Sequence, residues 1–94
     1  MNADDVRLVK TCEACPEQYD AVGPAGEPLA YLRLRWGSFT VRCPDVAGEV
    51  VYDVGVGGDL TGAFRSERQR EAALRRARRI IARWHSTNTT PEAT

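Results

Sequence analysis

The residues best suited to hold a metal ion are three cysteines and a single histidine. Cys12 and Cys15 form a C-x2-C pair, whereas Cys43 and His85 each stand alone in the sequence. Thiolate and imidazole groups are common zinc ligands, but a zinc ribbon typically has two closely spaced pairs. A redox C-x-x-C motif would need a helix after it, and here Pro16 leads into the extended stretch QYD instead. We therefore expect reduced thiols, no structural metal and no cofactor.

The acidic residues do not form an arrangement typical of a catalytic pair. Asp45, Asp53 and Asp59 have the chemistry of general acids and bases, but their positions favour turns and cross-strand charge partners. His85 lies beside a polar C-terminal tail, which is a poor setting for a preorganised nucleophile and base. The stretch GVGGDLTG, residues 55–62, lacks the spacing of a phosphate-binding loop. We therefore predict that the protein is not an enzyme.

Arginine supplies most of the positive charge, and that charge is unevenly distributed. Residues 1–64 contain five basic and ten acidic groups, a net charge of −5, whereas residues 65–84 contain eight arginines and two glutamates, a net charge of +6. The formal net charge of the whole chain is zero. The sequence thus predicts an acidic body joined to a basic C-terminal segment.

The basic segment has the pattern of an amphipathic helix. Ser66 and Gln69 have the spacing of a capping box. One stripe at a 3.6-residue period is apolar. It contains Ala73, Leu74, Ala77, Ile80, Ile81 and Trp84. Arginines occupy the opposite side of the same helix, at about 100° per residue.

These helix arginines are the first candidate binding set, for a partner or for phosphate. The set is Arg68, Arg75, Arg76, Arg79 and Arg83. Arg75 has Glu71 one turn before it, but most of the positive charge is not neutralised within the helix. Arginine suits bidentate contacts to carboxylates or phosphates. The alternative is a solvated face that only offsets the acidic sheet.

The stretch YLRLRWGSFTVR, residues 31–42, predicts a hairpin with its turn at Trp36 and Gly37. With this centre, Leu34 faces Phe39 and Leu32 faces Val41 on a wholly apolar side, and the other side is polar. The polar side carries a second candidate binding set, Arg33, Arg35, Trp36 and Arg42. The alternative for these arginines is cross-strand ion pairing with Asp20 and Asp53.

The remaining segments complete an α+β fold. VRLVKT is a possible edge strand, QYDAV is short and extended, and EVVYDVGV is a further strand with Val50, Tyr52 and Val54 on one side. We expect an antiparallel β-meander of three to four strands packed against one C-terminal amphipathic helix. Leu32, Leu34, Phe39 and Val41 should bury against Leu74, Ala77, Ile81 and Trp84. Residues 1–85 then form one domain, and residues 86–94 a disordered polar tail.

Composition is typical of a globular protein rather than a disordered or membrane protein. The 94 residues are 43% hydrophobic and 28% charged. No apolar run approaches the roughly 18 residues that span a bilayer. The start MNADDVRLVK has no hydrophobic signal core. We therefore expect a cytoplasmic protein without membrane contact.

Two resemblances bear on function. Several segments within about residues 15–70 resemble small uncharacterised proteins of actinobacteria and their phages. They are CPEQYD, YLRLRWGSFTV, VVYD, GAF and SERQRE. This resemblance implies a phage or mobile-element accessory protein that acts inside the host cell. The order of elements is also similar to the three-strand-plus-helix DNA-binding domain of phage integrases and plant ethylene-response factors. That similarity implies a role in the major groove for Arg33, Arg35, Trp36 and Arg42.

Two functions are therefore expected from the sequence. The first is a non-enzymatic phage-type accessory protein whose arginine-rich helix face docks an acidic host or phage protein, with the acidic body free for solubility or self-association. The second is a small nucleic-acid-binding module that uses the arginine-rich helix and the sheet face. The zero net charge favours an acidic protein surface over nucleic acid as the partner.

Overall fold

A computed structural model describes residues 1–12, 17–56 and 64–88 of the chain. Within these ranges a short 3-10 helix at Ala3–Asp5 precedes five strands and one helix. They are β1 (Arg7–Cys12), β2 (Glu17–Val22), β3 (Pro28–Arg35), β4 (Ser38–Cys43), β5 (Glu49–Gly55) and α1 (Glu67–Asn88). The strands form one antiparallel sheet in the order β1-β2-β3-β4-β5. The predicted α+β meander is confirmed, with five strands in place of three to four.

The β3–β4 hairpin has the predicted turn and register. Leu34 pairs with Phe39, and Leu32 with Val41. The turn residues Trp36 and Gly37 have φ angles of 57° and 75°. Positive φ at both central positions is the geometry of a type I′ turn, which matches the right-handed twist of the strands. The hairpin therefore turns its apolar and polar sides to opposite faces of the sheet.

The predicted alternation of β5 is wrong at its beginning. The pairing with β4 shifts between Val41 and Arg42, so that Val41 faces Tyr52 but Arg42 faces Val50. The extra residue is Val51, and such a bulge moves the residues before it to the other face. Val50 is consequently 44% exposed, while Val51 packs against the core.

Helix α1 begins at the predicted cap. The Gln69 backbone N–H donates to Ser66 Oγ over 3.1 Å, and the Arg65 backbone N–H donates to Gln69 Oε1 over 2.7 Å. The helix continues to Asn88, three residues beyond the predicted end of the domain at residue 85. The rest of the predicted tail, residues 89–94, lies outside the described residues.

The core lies between α1 and one face of the sheet, as predicted. The four predicted strand residues, Leu32, Leu34, Phe39 and Val41, are fully buried. Ala77 and Ile81 are buried opposite them, and Leu74 and Trp84 pack at the margin. Phe64 closes one end with an edge-to-face contact to Phe39, at 5.4 Å between ring centroids. One apolar layer therefore holds the helix to the sheet.

The buried stripe of α1 differs from the prediction at two positions. Ala82 is buried, whereas Ile80 is only half-buried and borders a surface depression with three arginines. The Ala3–Asp5 segment packs against α1, and the Met1 ammonium donates to Ser86 Oγ over 3.0 Å. Ala82 and Ser86 lie one turn apart on the same side of the helix. The packing of the N-terminal segment therefore extends the buried side of α1 to Ala82.

No helix in the described ranges combines the length and the apolar character needed to cross a lipid bilayer.

Candidate binding surfaces

The two predicted arginine sets lie on opposite sides of the molecule. Helix α1 covers the face of the sheet that carries Leu32 and Leu34, so the arginines on its outer side lie on the far side of the helix from the sheet, except that Arg76 reaches toward β5. Arg33 and Arg35 alternate with these leucines and therefore project from the other face. The structure does not bring the two sets together into one surface. A ligand that contacts helix and sheet arginines at once, as the second expected function requires, would have to wrap around the molecule.

The sheet arginines line a shallow depression of about 560 Å³ on the open face of β3 and β4. We call it the basic groove and define it by Tyr31, Arg33, Arg35, Trp36, Thr40 and Arg42. It contains all four members of the second predicted set. The turn after β4 forms one end of the depression through Val46 and Ala47.

The predicted cross-strand ion pairs of these arginines are not formed. Asp53 lies opposite Thr40 and Asp20 opposite Tyr31, so both carboxylates share the polar face. Yet among the arginines of the described ranges, only Arg70 lies within salt-bridge distance of a carboxylate. Arg42 instead donates from Nη1 to the Gly48 carbonyl over 3.0 Å. Within the described residues, the charge of the basic groove is therefore left without an anionic partner.

Trp36 stands at the hairpin end of the basic groove in an unusual backbone conformation. Its side chain is 62% exposed, and its φ of 57° falls in the left-handed region that bulky residues rarely adopt. The Arg35 guanidinium lies 5.5 Å from the centroid of the indole ring. A type I′ turn normally has Asn, Asp or Gly at this position, so folding alone does not account for a tryptophan.

The helix arginines form a convex surface along the outside of α1. We call this surface the arginine ridge and define it by Arg68, Arg75, Arg76, Arg79 and Arg83. All five side chains are exposed, and the predicted pair between Glu71 and Arg75 is not within salt-bridge distance. Arg76 leans toward β5, with its guanidinium 5.9 Å from the Tyr52 ring centroid. Ile80 lies among Arg76, Arg79 and Arg83 in a small depression of about 220 Å³.

A buried ion pair joins the sheet to the helix, and sequence reasoning missed it. Glu17 on β2 is 4% exposed and accepts two hydrogen bonds from the Arg70 guanidinium, at 2.7 and 3.1 Å. The Tyr19 hydroxyl also donates to Glu17, and Arg70 contacts Glu67 one turn earlier. The available signal was the alternation of EQYDAV, which places Glu17 on the same inward face as Tyr19 and Ala21.

The protonation of this cluster follows from its contacts. Burial raises the pKa of Glu17, but hydrogen bonds from Arg70 and Tyr19 and the nearby positive charge outweigh it, so the pKa lies below the usual 4.5. Burial and the Glu17 carboxylate raise the pKa of Tyr19 well above its ordinary value. Glu17 is thus a carboxylate and Tyr19 a neutral donor at neutral pH. A buried carboxylate that accepts three hydrogen bonds fixes packing, and its burial leaves little access for a substrate.

The cysteines described by the structure do not converge. Cys43 is 1% exposed in the core, and burial together with the charge of Glu49 raises the pKa of its thiol to about 11. The backbone of Cys12 lies beside Gln18 at the other end of the sheet, three strands away at about 4.8 Å per strand. His85 Nε2 lies 2.7 Å from the Leu29 carbonyl oxygen. In the described ranges no three potential ligands gather around one point.

Cys15 lies outside the described residues, so the absence of zinc stays a prediction. Of the roles predicted for the acidic residues, the turn role of Asp45 is confirmed, whereas the cross-strand charge pairing of Asp53 is not formed within the described residues. Asp45 accepts a hydrogen bond from the Ala47 backbone N–H over 2.9 Å and is a turn residue, and Asp53 is exposed on β5. Asp59 also falls outside the described residues.

Comparisons with protein-family models, with curated proteins and with solved structures found no match for this chain. The sequence resemblance to actinobacterial and phage proteins stays a prediction.

Proposed function

We propose that the protein is a non-enzymatic interaction protein whose arginine ridge docks an acidic surface of another protein. The observation that carries this proposal is a row of exposed arginines along the outside of α1, none of which lies within salt-bridge distance of a carboxylate of the described residues. Like charges at this spacing repel one another within a helix. An acidic partner would relieve that repulsion and would accept the bidentate contacts that guanidinium groups favour.

Two features favour a protein over nucleic acid on the arginine ridge. Ile80 and three ridge arginines line one depression, so this part of the surface combines apolar area with charge, as protein interfaces commonly do. The chain as a whole has no net charge, whereas domains that bind nucleic acid through a helix are usually strongly basic. The resemblance of about residues 15–70 supports a phage-type accessory role. We infer a host or phage protein as the partner and the host cytoplasm as the location.

The proposal is tested by capture and then by direct binding. The full chain is used as bait in an actinobacterial lysate treated with nuclease, and each captured protein is purified and titrated by calorimetry. Arg75→Ala together with Arg79→Ala should weaken binding to the true partner by roughly 10- to 100-fold, because desolvated arginines are frequent hot spots. Arg33→Ala together with Arg35→Ala is the matched control and should leave this affinity unchanged.

Two results would contradict the proposal. One is a double ridge variant that retains every partner at parental affinity. The other is the loss of all captured proteins on nuclease treatment, with parental binding to duplex DNA that the ridge substitutions abolish. That second result would assign the ridge to nucleic acid.

A further inference from the structure

We propose that the basic groove is a second, separate binding site and that its ligand is single-stranded nucleic acid. In this arrangement phosphates contact Arg33, Arg35 and Arg42, and a base stacks on Trp36. The site lies on the opposite side of the sheet from the arginine ridge. It therefore goes beyond the proposed docking function and does not depend on it.

The charge inside the groove favours an anionic ligand. Its three arginines come from two adjacent strands, and none of them is paired with a carboxylate in the described part of the chain. Arg42 is held by the Gly48 carbonyl through one nitrogen, which fixes the side chain and leaves its other donors available. Thr40 adds a hydroxyl whose only bond within the described residues is a long one, at 3.4 Å, to the Arg33 carbonyl. The groove thus presents several donors toward one anionic ligand.

The placement of the aromatic side chains favours a ligand with planar rings. Trp36 is exposed at a backbone position where a bulky residue is strained, and strained residues are concentrated at functional sites. Tyr31 lines the same depression further along β3. Aromatic rings beside a positively charged groove are the usual means of holding unpaired bases. A peptide with only acidic side chains would satisfy the arginines but has no ring that could stack on the exposed indole.

The arginine-bearing part of the sheet is narrow, and its width favours a single strand over a duplex. The arginines lie on β3 and β4, whereas the flanking strands carry Asp20 on β2 and Asp53 on β5. β2 and β5 are three spacings apart, which is about 14 Å. The major groove of a duplex is about 12 Å wide, so its two phosphate rows would lie over these two aspartates. A single strand that follows β3 and β4 keeps its phosphates over the arginines.

The test uses fluorescence anisotropy with two labelled probes, a 12-nucleotide oligo-dT and a duplex of the same length. The full-length protein should bind the single strand with a Kd on the order of 1–10 μM at low salt, and the duplex more weakly. Arg33→Ala with Arg35→Ala should reduce affinity at least about tenfold and lower the salt slope by about 0.7 for each lost contact.

Trp36→Asn is the second variant, because Asn fits the type I′ turn and the hairpin should remain folded. It should weaken binding by roughly 5- to 100-fold through the lost stacking. Arg75→Ala with Arg79→Ala is the matched control and should bind the single strand as the parent does.

Four results would overturn the inference. They are no binding at about 100 μM protein in low salt, a duplex that binds more tightly than the single strand, a poly-glutamate peptide that competes as well as the oligonucleotide, and equal losses from the groove and ridge variants. The first three results do not bear on the capture of a protein partner by the ridge, which is tested separately; equal losses from both variants would also place nucleic acid on the ridge.

Discussion

The basic groove and the arginine ridge use the same residue type in opposite ways. In the groove, Arg33 and Arg42 are half-buried, Arg42 is tethered to a carbonyl, and aromatic rings stand beside them. On the ridge, Arg75 and Arg79 extend from a convex helix and are exposed. Holding a long side chain in one conformation costs entropy at the moment of binding, and a tethered side chain has already lost part of it. The groove is therefore prepared for a few defined contacts, whereas the ridge offers charge over a broad area.

The two surfaces are separate but share one core. The layer of apolar side chains between α1 and the sheet supports both of them. We therefore expect two kinds of substitution, which differ in whether they affect both surfaces or only one. Changes in the layer affect both surfaces together, and changes on either surface affect only its own ligand.

The largest effect is expected from the layer itself. Phe39→Ala should lower the free energy of unfolding by roughly 3–5 kcal/mol, because Phe39 is fully buried and contacts Phe64. Both binding activities should disappear together, since a loss of this size unfolds a domain of marginal stability. Urea unfolding measures the change. A variant that melts within a degree or two of the parent would show that the layer is not the common support.

A smaller loss is expected from the buried ion pair, without any change in either surface. Glu17→Gln should destabilise by about 1–3 kcal/mol, because the Arg70 guanidinium loses its charged acceptor. Glu67→Gln is the matched control, since the side chain of Glu67 is 68% exposed, and should have little effect. The folded Glu17→Gln variant should bind both ligands as the parent does.

The same ion pair predicts a dependence on acid. The pKa of Glu17 is lower in the folded protein than in the unfolded chain, so its contribution is complete above about pH 4.5 and is lost as the pH falls through the folded pKa. The melting temperature of the parent should therefore fall more steeply below pH 4.5 than that of Glu17→Gln. Parallel curves would contradict this account of the pair.

Trp36→Asn is expected to raise stability while it weakens the groove. Asn tolerates the left-handed conformation that strains tryptophan, so the free energy of unfolding should rise by up to about 1 kcal/mol. Binding through the ridge should not change. A variant less stable than the parent would show that Trp36 stabilises the fold through packing. The prediction that Trp36 serves binding at a cost in stability would then be wrong.

The smallest stability effects are expected from the surface arginines. Each pair, Arg33→Ala with Arg35→Ala and Arg75→Ala with Arg79→Ala, should change the free energy of unfolding by less than about 0.5 kcal/mol. Combining all four should add the two binding defects without coupling, because the surfaces share no side chains. Non-additive losses would mean that one ligand spans both surfaces.

Much of the fold could be predicted because local patterns determine it. The alternation of Leu32, Leu34, Phe39 and Val41 around Gly37 allows only one register, since a slip of one residue would expose the apolar side. The bulge at Val51 could not be predicted, because β5 is apolar on both sides over Val50 and Val51 and its alternation does not specify a face.

The candidate sites were predictable as residue types but not as geometry. The groove residues follow from the hairpin alternation, which places Arg33 and Arg35 on one face. Their lack of ion pairs could not be inferred, because sharing a face with Asp53 does not bring the charged ends into contact. The Glu17–Arg70 pair joins residues 53 positions apart, and no local pattern connects them.

The order of the strands has a consequence for how the chain folds. Among the described residues, every pairing in the sheet joins strands that are neighbours in sequence, and the packing of α1 bridges the largest separations. Short loops close at low entropic cost, so we expect hairpins to form first and α1 to dock late. Gly37→Ala should then mainly slow folding, whereas Ile81→Ala should mainly accelerate unfolding, as stopped-flow kinetics in urea would measure. Equal effects on the folding rate would mean that helix and sheet assemble together.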